Sequence, residues 1–177
     1  MPSIARLGHV GLHCNDLVRQ MTFYRDVLGL QVTDQDIDVG LIFLSSRPQE
    51  EHHELVLAAG RSGSPETRIL QQISFRCDSL EDVRGYYRRF KEHDVAFDMI
   101  VTHGNAIGIY FYDPEGNRCE VYWATGLAAR QPYLERVDLE QTADEIVAFV
   151  GGSVAEHGAD GYVDMSILAA QDIPVHS

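Results

Sequence analysis

Polar and apolar side chains alternate through residues 6–13, where Val10 and Leu12 oppose His9, Gly11 and His13. That is the period-two pattern of a strand with one buried face. The spacing then changes. Leu17, Met21, Tyr24 and Leu28 recur at helical intervals and Gly29 stands where a helix C-cap belongs, predicting a helix from about Leu17 to Leu28. Strand-type runs follow near 31–35, 40–46 and 52–58, and the Gly, Ser and Pro content of 60–67 reads as a linker. The order then restarts with a strand at 70–77 and a helix from Leu80 to about Glu92. Leu80, Val83, Tyr87 and Phe90 form that helix's apolar stripe, and Asp78 or Ser79 is its cap. Strands near 96–102, 106–112 and 118–124 complete the unit, with Asp113-Pro-Glu-Gly-Asn as the tight turn before the last. Each half is strand–helix–strand–strand–strand.

The halves also resemble each other residue by residue. His9-Val-Gly-Leu-His-Cys-Asn-Asp-Leu aligns with Gln72-Ile-Ser-Phe-Arg-Cys-Asp-Ser-Leu, and a constant offset pairs Tyr24 with Tyr87 and Arg25 with Arg88. After a shift in loop length, His53-Glu54-Leu55-Val56 aligns with Cys119-Glu120-Val121-Tyr122. In this alignment His9 and Gln72 share one position, and Glu54 and Glu120 share another. A duplicated module that brings the same positions to a common axis twice is a way to build a central site. The fold expected is α+β: two tandem βαβββ modules forming a curved sheet around a central cavity, followed by a C-terminal tail containing a helix. The pair of modules occupies 1–126, as about 5–59 and 68–125, and the extension 127–177 carries a helix from Thr142 to Val150, a Gly-rich break and an apolar end.

Strand alternation places His9, Glu54, Gln72 and Glu120 on the faces opposite their apolar neighbours. Such groups are costly to desolvate unless something binds them. One imidazole, two carboxylates and an amide oxygen make a mostly hard donor set suited to Fe²⁺, Mn²⁺, Co²⁺, Ni²⁺, Zn²⁺ or Mg²⁺. The plainer reading is a hydrogen-bonded polar cavity without metal. His13 shares the face of His9 and is a candidate base behind the ligands, or a cavity residue held by hydrogen bonds. Alternation over 52–58 turns His52 to the side of Glu54 and His53 away. Arg76 at the rim suits an anionic substrate group, with surface solvation as its plain alternative. His93, His157 and His176 are assigned no role.

Composition narrows the partners. A formal charge of −13 argues against nucleic acid and anionic membranes, both of which call for clustered Lys and Arg. No apolar run approaches the ~20 residues of a membrane span, and the first residues lack a signal-peptide pattern. The cytoplasm is the expected location. Cys14, Cys77 and Cys119 lie in or at the ends of strands without close C-x-x-C spacing, as small buried thiols do.

The two βαβββ units, the openings Leu7-Gly-His-Val-Gly-Leu and Ile69-Leu-Gln-Gln-Ile-Ser-Phe, and the ending Asp113-Pro-Glu-Gly-Asn-Arg-Cys-Glu-Val-Tyr resemble the vicinal oxygen chelate superfamily. Its members include glyoxalase I, methylmalonyl-CoA epimerase, bleomycin- and fosfomycin-resistance proteins and type I extradiol dioxygenases. The stretch from Thr102 to Asn117, with Glu120-Val-Tyr-Trp, is most similar to small extradiol enzymes related to biphenyl-2,3-diol dioxygenase. That resemblance implies His9 as a histidine ligand, Glu120 as the carboxylate ligand, Tyr110 as the active-site tyrosine and His103 as a pocket histidine. It also implies Fe²⁺ as the metal, a catechol-like substrate with dioxygen, and a homodimer. Gln72 stands where ring-cleaving members place a second histidine, so the facial triad is one imidazole short. Three readings follow: Gln72 ligates in a variant site, Glu54 is the third ligand, or the metal and its oxygen chemistry are gone.

An isomerase or lyase of the glyoxalase type, using Zn²⁺, Ni²⁺ or Mn²⁺ at His9, Glu54, Gln72 and Glu120 with a carboxylate moving the proton, accounts better for Glu54. A binding protein that sequesters a planar ligand without chemistry is the third possibility.

Overall fold

The computed structural model describes residues 6–63, 70–131 and 133–158. They form two compact units. The first holds β1 (Val10–Cys14), α1 (Leu17–Thr22), β2 (Gln31–Asp36), β3 (Leu41–Ser45) and β4 (Leu55–Ala59), together with residues 89–96 and 112–118. Its sheet has the order β1-β4-β3-β2, with β1 parallel to β4 and the other pairs antiparallel. The second unit holds β5 (Ile73–Cys77), most of α2 (Leu80–Glu92), β6 (Phe97–Thr102), β7 (Ala106–Tyr112), β8 (Arg118–Ala124), β9 (Glu135–Arg136) and α3 (Ala143–His157). Its sheet order is β5-β8-β7-β6-β9. The first four strands repeat the connectivity of the first unit, and the tail adds β9 against β6. The sheets are two open ones in place of the single curved sheet expected from the repeat.

The predicted elements recur with local changes. Asp16 caps α1 by accepting from the Arg19 amide at 2.9 Å, and the helix widens into a π turn over Phe23–Val27. Phe23, Tyr24, Val27 and Leu28 are buried together along this segment. Gly29, at φ +80°, closes the segment with its N–H on the Arg25 carbonyl. On α2 the cap is Ser79, whose hydroxyl accepts from the Asp82 amide at 3.1 Å while its own N–H donates to the Asp82 carboxylate. Leu80, Val83 and Phe90 are buried as the stripe requires, while Tyr87 is half-buried with its hydroxyl donating to Glu140.

The tail departs most from expectation. α3 does not break at Gly151-Gly152 but runs on to His157. A capping box between Thr142 and Glu145 starts it. Ile146, Val150 and Val154 bury one face of it, each contributing about 1.5–3 kcal/mol. That exceeds the ~1 kcal/mol that each helical glycine costs.

The Asp113–Asn117 turn forms a polar knot within the first unit. The buried Asp113 carboxylate accepts from the Glu115 and Asn117 amides on Oδ1, at 2.9 and 2.8 Å. On Oδ2 it accepts from Gln20 Nε2 at 2.9 Å, Tyr24 Oη at 3.0 Å and Asn117 Nδ2 at 2.7 Å. Glu115 in turn receives the Asn15 and Asp16 amides, at 2.7 and 2.8 Å, and the Arg61 guanidinium at 3.1 Å. The turn thereby ties β1 and the start of α1 to residue 61.

All three cysteines are free and buried. Burial first, then the Glu115 and Asp113 carboxylates, push the Cys14 thiol up to about 12. Burial, then Asp82 and Asp78, raise Cys77 to about 11. A group whose native value is raised contributes stability that is fully present below its unfolded value and is lost as pH rises towards the native one. Stability should therefore fall above about pH 9, with Cys14 contributing up to ~1.4 kcal/mol per pH unit. Urea titrations of wild type and Cys14→Ala across that range test this, the variant showing the shallower decline.

Candidate functional site

In the first unit, His9 lies just before β1, beside the segment leading into β4, where the Val10 amide donates to the Glu54 carbonyl at 3.0 Å. β4 begins only at Leu55, so strict alternation does not reach residues 52 and 53. The consequence reverses one expectation. His53, not His52, packs on His9, with ring centroids 4.4 Å apart, and it also meets Phe43 at 5.1 Å. Its Nδ1 lies 2.9 Å from Nδ1 of His52, which is exposed. Burial, with His9 and His52 adding to it, holds His53 below the usual histidine range. His13 is exposed, with Nδ1 3.3 Å from the Ala59 carbonyl oxygen.

Glu54 is already engaged. Its Oε2 accepts from the Ser46 amide and hydroxyl at 2.8 and 2.6 Å, and its Oε1 from Arg47 Nη2 at 3.0 Å. Burial acts to raise its carboxyl, but the Ser46 donors and the Arg47 guanidinium outweigh it and hold the group below its ordinary value. The strand register also moves its counterpart. Gly11 pairs with Val56 in the first unit, and Ser74, the repeat of Gly11, pairs with Glu120 in the second. Val56, not Glu54, is thus the structural equivalent of Glu120, and Glu54 corresponds to Arg118. The sequence alignment slipped by two residues, which keeps the face and hides the error. Gln72 precedes β5, and its Oε1 accepts from Arg118 Nη1 at 2.9 Å.

In the second unit Glu120 is buried on β8, and Ser74 Oγ donates to its Oε2 at 2.5 Å. Glu120 Oε1 turns to Gly108, where an added Cβ would fall 2.8 Å from it. A glycine at this point lets the carboxylate approach the β7 backbone, where any side chain would displace it. Gly108 and Tyr110 alternate onto the same face of β7. Tyr110 is buried, and its hydroxyl lies 3.0 Å from His103 Nε2. His103 Nδ1 lies 2.7 Å from the Tyr133 carbonyl oxygen. The structure therefore brings together His103 with Tyr110, and Ser74 with Glu120. Arg76 is exposed. Tyr133 and Gln131 reach His103 from the tail, a contact the sequence does not show because it is long-range and partly through backbone.

Among the described residues no three His, Cys, Asp or Glu side chains gather into a metal-holding group.

The comparisons with known proteins agree with this framework. The model of the Glyoxalase/Bleomycin resistance protein/Dioxygenase superfamily matches residues 6–121, and the chain belongs to that superfamily. Biphenyl-2,3-diol 1,2-dioxygenase 3 of Rhodococcus globerulus is 30% identical over 121 residues, 66% of this chain and 62% of that protein. A manganese-dependent 2,3-dihydroxybiphenyl 1,2-dioxygenase of Geobacillus genomosp. 3 is 29% identical over 123 residues, 68% of this chain and 37% of that protein. The matched region thus spans less than two thirds of either relative. A lactoylglutathione lyase structure from Agrobacterium tumefaciens aligns with a TM-score of 0.54 at 22% identity, covering 69% of this chain and 96% of the other. A fosfomycin resistance protein from Listeria monocytogenes gives 0.56 at 22%, covering 69% and 95%. These two likenesses show the fold alone. No helix among the described residues is long and apolar enough to cross a membrane.

Proposed function

We propose that the chain is an extradiol-type dioxygenase that opens a catecholic ring with dioxygen. The observation that carries this reading is the hydrogen-bonded His103–Tyr110 pair in the sheet that also holds Glu120. The dioxygenase relatives support it. Val56 at the position equivalent to Glu120, with Glu54 held by Ser46 and Arg47, favours this reading over the isomerase alternative with carboxylates at both positions.

Glu120 is the side chain of the second unit assigned to the metal. A carboxylate is a hard donor that suits Fe²⁺ or Mn²⁺, and Gly108 lets that carboxylate lie close against β7. When bound, the metal supplies a positive centre for two adjacent substrate oxygens. Ser74 fixes the Glu120 carboxylate through its Oγ–H. Tyr110 presents its hydroxyl on the same face as Glu120, and His103 Nε2 receives or returns the proton of that phenol oxygen.

The test is oxygen uptake by protein purified anaerobically and loaded with Fe²⁺ or Mn²⁺, on adding 2,3-dihydroxybiphenyl or catechol. One dioxygen consumed per diol, with a ring-opened product, is the expected result. No uptake with either metal and either diol overturns the reading.

A further inference from the structure

We infer that the C-terminal extension, through Gln131 and Tyr133, fixes the imidazole of His103 as its Nδ1–H tautomer, leaving Nε2 as the acceptor facing Tyr110. The functional consequence of this positioning rests on the dioxygenase reading; the tautomer itself does not.

A backbone carbonyl only accepts, so the 2.7 Å contact between His103 Nδ1 and the Tyr133 oxygen places the proton on Nδ1. In the neutral ring Nε2 then carries the lone pair, and the Tyr110 hydroxyl 3.0 Å away donates to it. The opposite tautomer would set the Nδ1 lone pair against the carbonyl lone pairs, and the Tyr110 hydroxyl would have to accept from Nε2–H. The hydrogen bond at one ring nitrogen decides the chemistry of the other.

The carbonyl is itself held in place. Gln131 Nε2 donates to the His103 carbonyl at 2.7 Å while its Oε1 accepts from the Tyr133 amide at 3.3 Å. One side chain thus spans the backbone of both partners. Tyr133 Oη donates to Glu135 at 2.5 Å, and its ring lies 4.5 Å from that of His157 at the end of α3. Glu135 pairs with Thr102, the residue before His103, in the β6–β9 ladder. Gly104, at φ +72°, lets Ala129, Val154 and Tyr133 approach, since a Cβ there would fall 2.4, 2.9 and 3.4 Å from them. The tail therefore belongs to the site. Gln131 and Tyr133 are positioning residues, because they act through His103.

The experiment uses the full chain labelled with ¹⁵N-histidine, with His103 assigned by its loss in His103→Gln. Long-range ¹H–¹⁵N spectra at neutral pH distinguish a protonated from an unprotonated ring nitrogen. Wild type should show His103 with Nδ1 protonated and Nε2 bare. In Gln131→Ala the two nitrogen shifts should converge as the tautomers exchange. Gln131→Glu, which keeps the side chain's size and replaces the Nε2 donor with a carboxylate oxygen, should show the same convergence and serves if the alanine variant fails to fold. An Nε2–H tautomer in wild type, or an unchanged Nδ1–H signature in a folded Gln131 variant, overturns the inference. In metal-loaded enzyme with a diol, kcat should fall at least about tenfold at constant KM. Tautomer convergence without any wild-type oxygen uptake would sink the dioxygenase reading and leave the positioning of His103 standing.

Discussion

Glu120→Ala is expected to lower retained Fe²⁺ or Mn²⁺ by more than about a hundredfold, since even removing a partner that only orients a ligand costs 10–100-fold, and to abolish oxygen uptake. The measurement is metal per chain after anaerobic desalting, beside circular dichroism to confirm folding. Glu120 is buried with Ser74 donating to Oε2, so its loss leaves a hydroxyl to rearrange rather than an unpaired charge. Ser74→Ala should be milder, loosening the carboxylate without removing it. Gln72→His supplies a second imidazole and should tighten iron retention, provided the ring replaces the contact that Gln72 makes with Arg118. Unchanged metal content in Glu120→Ala would remove Glu120 from the ligand set.

Asp113→Ala should destabilise the chain by roughly 3–5 kcal/mol, read from urea denaturation midpoints. The carboxylate is the common acceptor for Gln20, Tyr24 and Asn117 side chains and for two backbone amides. Deleting it strands buried donors, and each stranded donor loses water without replacement. Asp113→Asn should cost less, about 2 kcal/mol, for a reason specific to this site. Gln20 Oε1 is buried without a hydrogen-bond partner among the described residues. A flip of the Gln20 amide would offer that oxygen to the NH₂ group that the substitution introduces. A loss below about 1 kcal/mol in Asp113→Ala would show that water or neighbours replace the knot.

The two modules were legible because their elements rest on local signals. The Leu80–Phe90 stripe, the Ser79 cap and the Asp113–Asn117 turn each lie within a few residues of the groups they organise. The π turn after α1 was not legible, because Phe23, Tyr24, Val27 and Leu28 would share one face of an ordinary helix as well. Nor was the uninterrupted α3, where burial of Ile146, Val150 and Val154 overrides the glycine pair. His103 and Tyr110 were found through family resemblance, and their hydrogen bond emerged only from the fold.

Glu54 marks where sequence alone misleads. A period-two pattern constrains the face of a strand but not its register by two, and only ladder hydrogen bonds between distant strands distinguish Glu54 from Val56. The sequence by itself determined the repeat, the module topology and the residue types that carry chemistry, because propensity, capping and periodicity act over short spans. The tertiary structure alone decided which carboxylate is buried opposite Ser74, which histidine packs on His9, and that the tail reaches back to His103. Those outcomes depend on contacts between residues far apart in the chain, whose pairing no local preference encodes.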